Sequence, residues 1–278
     1  MRYTFVLLIG AVLIAGCSKQ SQSSGSSNQD SSVISNWKPP QSPNPQKILN
    51  EADADTQAGQ YTNALAKYVW FYQNALKYDP AQRGVRVSFA LKSWAELGAV
   101  YPPALNKLKA VRDEAAENVR QGKDAVSAFQ DFVAINATLK DDDNTSDFFT
   151  GLDANKPDVA KVVFDRTQHW LLPALVKTKK YSVCGKYINP DTSFKQILKL
   201  YRTMMEQVNQ GHVGSEIKNF ADQNFINKTT TLIAILVIDD RRTGAEQIVD
   251  KISKESDLPE FKEQIDKALS GEVPTQFP

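Results

Sequence analysis

The chain has 278 residues, 33 basic and 32 acidic side chains, a hydrophobic fraction of 41% and two cysteines. That is one domain with appendages rather than a disordered chain. Near-neutral charge without a basic stripe excludes the ordinary nucleic-acid binder, and two cysteines exclude a multi-cysteine zinc site.

The first 16 residues carry one charged side chain, Arg2. Phe5 to Ala15 is apolar apart from Gly10. This run is shorter than the about 20 residues a membrane span needs, and it has the length of a signal-peptide core. Ile14-Ala15-Gly16-Cys17 follows at once. It resembles the lipobox of bacterial lipoproteins, which implies cleavage before Cys17, acylation of Cys17 and attachment to a membrane. Two or more acyl chains are the physical requirement for stable anchoring. Ser18 stands where an aspartate would favour the inner membrane, so the resemblance implies the periplasmic face of the outer membrane in a Gram-negative cell.

Residues 17–46 are rich in Ser, Gln, Asn and Pro. They bury too little apolar surface to offset ordering entropy, so a flexible lipidated tether is expected, reaching roughly 30 Å. Trp37 either docks on the domain or stands exposed, and the sequence does not choose.

From 47 to 271 the apolar spacing is helical, and 272–278 read as a C-terminal tail. Ala64, Tyr68, Phe71 and Ala75 recur at steps of three and four. Val87, Leu91, Trp94 and Gly98 do the same, and Phe194 to Val208 carries the cleanest stripe. Gly59, Gly122 and Gly211 sit where helices should stop. Asp257 to Glu260 has the pattern of a capping box. Pro173 should kink or split its helix. Leu232 to Ile238 has strand-like composition, but a lone strand would leave its backbone unpaired, so a buried helix is expected. Typical helix lengths give nine to eleven helices over the domain.

A short motif recurs: Tyr61-x-x-Ala64, Tyr101-x-x-Ala104 and Tyr181-x-x-Cys184, an aromatic at a helix start with a small residue one turn on. Together with Ala58-Gly59-Gln60-Tyr61, Ala75 to Pro80, and Trp94, Leu97 and Gly98, it resembles the tetratricopeptide repeat, most closely over 47–120. The period here is nearer 40 residues than the family's 34. The resemblance implies an all-α fold of antiparallel helix-pair repeats, an α-solenoid that binds a protein or peptide in its groove.

Little in the chain points to catalysis. His169 and His212 have no metal-ligand spacing and nothing completing a triad, so neither a metal nor a cofactor is expected. Asp141 to Asp147 lacks the glycine and glutamate of a calcium loop and reads as a solvated loop capping the next helix through Thr145 or Ser146. Cys184 would be reactive only beside a cation, and Lys180 and Lys186 are near in sequence. Asp239-Asp240-Arg241-Arg242 reads as a helix end with surface pairs. Trp70 falls off the apolar stripe and is the candidate exposed partner-contact residue. The expected function is therefore a membrane-anchored envelope scaffold for a protein or peptide, not an enzyme. The alternative is an envelope enzyme or solute-binding lipoprotein with distant carboxylates such as Asp165 or Glu206.

Overall fold

The computed structural model describes residues 35–211, 214–255 and 260–275. The expected signal peptide, Cys17, the first part of the tether, His212 and Asp257 to Pro259 lie outside the described residues.

Asn44 accepts a hydrogen bond from the Lys47 N–H at 2.9 Å, and Pro45 occupies the first helical position. Cap and proline together start α1 (Pro45–Gln57) two residues before the expected boundary. α2 (Tyr61–Tyr78) follows after Gly59, whose φ of +74° suits a residue without a Cβ. A single 3-10 turn, Pro80–Gln82, leads into the short α3 (Arg83–Arg86). Then come α4 (Phe89–Val100), α5 (Pro102–Arg120), α6 (Ala125–Leu139), α7 (Asp142–Asn155) and α8 (Pro157–Lys177). α9 (Tyr181–Tyr187), α10 (Pro190–Asn209), α11 (Ser215–Ile238), α12 (Arg242–Glu255) and α13 (Glu260–Leu269) complete the chain. The described residues contain no strand, and the fold is all-α.

Four expectations need correction. Among the described residues thirteen helices replace nine to eleven, because short pieces such as α3 and α9 fill turns between longer ones. Pro173 lies inside α8 and does not split it, the helix running from Pro157 to Lys177; Leu171, Ala174 and Leu175 around it are buried. The Asp141–Asp147 segment is not a loop, since α7 begins at Asp142. Thr145 and Ser146 are buried inside that helix, taking hydrogen bonds from Asn136 (3.0 Å) and Thr178 (2.7 Å). Within the stretch expected as free tether, Ser35 and Trp37 lie against α2, while residues 38–42 are exposed. Ser35 donates to Asn63 at 2.9 Å, and Trp37 meets the Trp70 ring edge-on at 6.4 Å.

Two apolar clusters make the interior. The first joins α1, α2, α4 and the first half of α5 around Tyr68, Phe71, Trp94 and Leu108. The second runs from the end of α5 to α13 around Phe129, Phe149, Phe164, Phe225 and the buried stretch Leu232–Leu236. Leu232 to Ile238 is helical, as expected. Thr230, just before it, turns its hydroxyl back to the Ile226 carbonyl at 2.7 Å, which satisfies a buried polar group within the helix.

The recurring motif has a common structural meaning. Tyr61 and Tyr181 open α2 and α9, and Tyr101 precedes α5. Ala64, Ala104 and Cys184 are wholly buried. The Tyr61 and Tyr101 rings lie 5.8 Å apart, so the first two motifs touch each other. At Gly98 two helices come close: a Cβ there would stand 3.1 Å from Leu105 Cβ and 3.2 Å from its Cα. The absence of a side chain at Gly98 eases the tight turn of α4 onto α5.

Candidate functional site

A cavity of about 650 Å³ forms a groove between α2, α3, α5 and α6, with Trp170 of α8 also lining it. Leu76, Val87, Val111 and Ala128 supply apolar wall. Gln73, Asn118, Ser127 and Gln130 supply amide and hydroxyl groups that can donate and accept.

Arg86 organises this groove. Its Nη1 and Nη2 donate to the two carboxylate oxygens of Asp131 at 2.6 and 2.7 Å. Its Nε donates to the Tyr72 carbonyl at 2.7 Å, and the guanidinium lies 4.0 Å from the Tyr72 ring centre. Burial opposes the cation, but the Asp131 hydrogen bonds and charge outweigh it and hold the Arg86 pKa above its ordinary value. α3 is thereby locked to α2 and α6 at once. The Tyr72 hydroxyl is buried without a hydrogen-bond partner among the described residues. Burial first, and the Asp131 charge second, push the Tyr72 phenol well above its usual range. No pattern in the sequence pairs Arg86 with Asp131, 45 residues apart. Only the third dimension brings α3 onto α6.

The residues singled out from sequence are placed as follows. Trp70 was expected to stand exposed; it is half-buried, stacked on Tyr78 at 5.7 Å and covered on its other side by Trp37. It does not line the groove, whereas Trp170, 37% exposed, does. Cys184 is fully buried, and burial pushes its thiol up to about 12. The nearby lysines point elsewhere: Lys180 pairs with Asp147 at 3.5 Å and Lys186 with Asp153 at 2.5 Å. Cys184 is a packing residue, as its place in the tyrosine motif implies.

The acidic run is spent on ion pairs. Asp141 meets Arg112 at 3.2 Å and Asp142 meets Lys177 at 2.6 Å. No cluster of three metal-ligating side chains occurs among the described residues. Arg241 does more than the surface pairing expected of it. It donates to the Gly185 and Ile188 carbonyls, both at 2.9 Å, and so ties α9 to the end of α11. Asp165 bonds Lys161 and Glu206 accepts from Gln210, each within its own helix. Neither carboxylate lines the groove.

No helix among the described residues is long and apolar enough to cross a membrane. Comparison with known proteins gives no matching family model, no curated relative and no matching solved structure.

Proposed function

We propose that this chain is a membrane-anchored envelope lipoprotein whose helical domain is a scaffold for a protein or peptide segment. The groove carries this reading. Its amides and hydroxyls can pair with a peptide backbone, and its apolar wall can hold alternate side chains. Exposed Arg83 and Glu114 on its margins would set the register of a charged partner.

The helix-pair solenoid belongs to the same proposal. The strongest packing joins chain neighbours: α1 with α2, α4 with α5, α5 with α6, α7 with α8, and α10 with α11. The contact of Tyr61 with Tyr101, one motif to the next, is what a stacked repeat requires. The anchoring half rests on the residues around Cys17 and on the outer-membrane preference that Ser18 implies.

The competing enzyme reading needs an acid held above its normal range. Glu117, Asp191 and Glu263 are all held below it, by Gln121, Lys251 and Lys267 respectively. Burial would raise Asp153, but hydrogen bonds from Lys186 and Tyr187 outweigh it and hold it low as well. These carboxylates are dressed as structural anions.

Two experiments test the two halves. Cys17→Ser should move the protein from the membrane fraction to the soluble one; unchanged membrane association would end the anchoring reading. A photo-reactive amino acid placed at Gln73 or Asn118 in cells should give one discrete adduct. The same residue at Lys195 or Lys262, on exposed faces away from the groove, should give none. Adducts of equal yield at all four positions would reject the groove as the binding site.

A further inference from the structure

One face of α2 carries a strip of aromatic rings. Asn63, Lys67, Trp70, Asn74 and Lys77 follow at steps of three and four, so they share that face. Tyr78 ends the strip: its ring stacks on Trp70 at 5.7 Å and the residue is 54% exposed. Trp37 adds a third ring, edge-on to Trp70 at 6.4 Å. Both tryptophans are half-buried, and exposed Lys38 and Lys77 flank them.

The other polar groups beside the rings are satisfied within the protein. Lys67, 5.9 Å from the Trp37 ring centre, pairs with Asp55 at 2.9 Å and Glu51 at 3.4 Å. Asn74 donates to the Trp70 carbonyl at 3.0 Å, and Asp79 accepts from the Ala81 N–H at 3.0 Å. Trp, Tyr and Lys together are the combination that anchors a protein at the headgroup level of a bilayer. Lysine is depleted in protein interfaces, so this rim favours a lipid surface over a protein partner.

The place where the N-terminal segment joins the domain points the same way. Ser35 donates to Asn63 at 2.9 Å and accepts from the Trp37 N–H at 3.0 Å, which fixes the root of that segment on this strip. Even fully extended, the residues between Cys17 and Ser35 span about 60 Å. An acyl anchor on Cys17 would therefore make contact between strip and bilayer intramolecular, at an effective concentration on the order of millimolar, and a weak contact then suffices.

We propose that the Trp37–Trp70–Tyr78 strip docks on the headgroup layer of the bilayer that holds Cys17 and so orients the domain. The proposal rests on the anchoring reading and goes beyond it, because an acyl anchor alone sets no orientation. Tyr72 and Leu76, which line the groove, fall on the opposite side of α2 by the 3.6-residue turn, so docking leaves the groove open.

The test uses the acylated chain, purified from the membrane fraction and reconstituted into vesicles of brominated phosphatidylcholine. Flotation reads the anchor, and quenching of tryptophan emission by bromine reads the strip. The chain should float with its emission quenched relative to unbrominated vesicles. The double variant Trp37→Phe with Trp70→Phe should float with the quenching lost, which assigns the signal to these two of the four tryptophans. Tyr78→Asp should also float unquenched, since a carboxylate is costly to desolvate. If Tyr78→Asp loses its helical circular-dichroism spectrum, the unaltered chain and the double variant decide alone. Flotation without quenching would overturn the docking and leave the anchor standing, whereas failure to float would end both. Quenching that persists in the double variant would place another face on the bilayer and overturn the proposal. So would a discrete protein adduct from a photo-reactive residue at Tyr78 in cells, if quenching is absent, because the strip would then belong to a protein partner.

Discussion

The helices before and after the Arg86–Asp131 pair hide their apolar surface by different means. In the first cluster several large aromatics carry polar handles, and those of Trp94 and Tyr68 are tied. Trp94 Nε1–H donates to the Ala104 carbonyl at 2.9 Å, and the Tyr68 hydroxyl donates to Asp53 at 2.6 Å. Buried Lys67 reaches Asp55 at 2.9 Å. In the second cluster the later part of α11, 229–236, is buried throughout, and Leu232 to Leu236 is an unbroken buried apolar stretch. One region is built of two-faced helices held in register by directed bonds. The other surrounds the stretch Leu232–Leu236, which has no polar side chain to orient it. Directed bonds fix geometry, whereas apolar burial supplies most of the free energy. The groove of α2, α3, α5 and α6 lies where the first kind of construction ends.

The comparison breaks first at Phe225. Its ring stacks on Tyr201 at 4.5 Å and meets Phe261 edge-on at 5.3 Å. Phe225→Ala should cost about 3–5 kcal/mol, the range for a buried aromatic truncated to alanine. Urea unfolding measures it. A loss under about 1 kcal/mol would mean that the α11 layer relaxes around cavities, contrary to dense packing.

Arg86→Met tests the directed bonds. It strands Asp131, whose side chain is only 19% exposed, and frees α3. The expected loss is about 2–3 kcal/mol, at the upper end for charge-assisted hydrogen bonds. Adding Asp131→Leu should recover part of it, because the stranded charge is then gone. A double-mutant cycle with no coupling would show that the pair ties nothing together.

Two glycines sharpen the contrast within one chemistry. A Cβ at Gly185 would stand 2.5 Å from Asp239 Cβ, where something must move. At Gly98 the nearest atoms are 3.1–3.2 Å away, and a few tenths of an ångström of adjustment suffices. Gly185→Ala should cost about 2 kcal/mol and Gly98→Ala about 1 kcal/mol, within the range for overpacked sites. Thermal midpoints in one buffer rank them, and the reverse order would mean that the α9 contact is the softer one.

How much of this was legible beforehand follows from the same contrast. Stripes such as Phe194 to Val208 declare a helix because one face must stay wet. α11 declares nothing by periodicity, and its three threonines argue for a strand until the missing partner strand is weighed. Asp141 to Asp147 misled because composition describes a segment in water, and Asn136 and Thr178 supply partners from outside the segment. Trp37 and Trp70 are 33 positions apart, too far for local spacing to pair them. The groove was invisible for that reason too, since Tyr72, Arg86 and Asp131 come from three helices with no shared period.

The smallest effect at neutral pH belongs to Cys184, and it separates packing from reactivity. Ala64 and Ala104 hold the corresponding place in the other two motifs, both wholly buried. Cys184→Ala should therefore cost about 1 kcal/mol or less at pH 7, as a small change within the core. The variants diverge in alkali. The folded thiol is pushed up to about 12 from an ordinary 9.0 by burial. Between those values the unfolded chain gives up the proton and the folded chain keeps it. The stability due to the neutral thiol is thus complete below pH 9 and is lost as pH rises toward 12. Tyr201, also raised to about 12 by burial and then by Asp222, titrates in both proteins and cancels in the difference. Between pH 8 and 10.5 the urea midpoint should fall further for the unaltered chain than for Cys184→Ala. Iodoacetamide at pH 8 should label Cys184 only after denaturant is added. Labelling of the folded protein at the rate of the unfolded chain would show that α9 opens readily, and the tie from Arg241 to the Gly185 and Ile188 carbonyls would then be too weak to hold it.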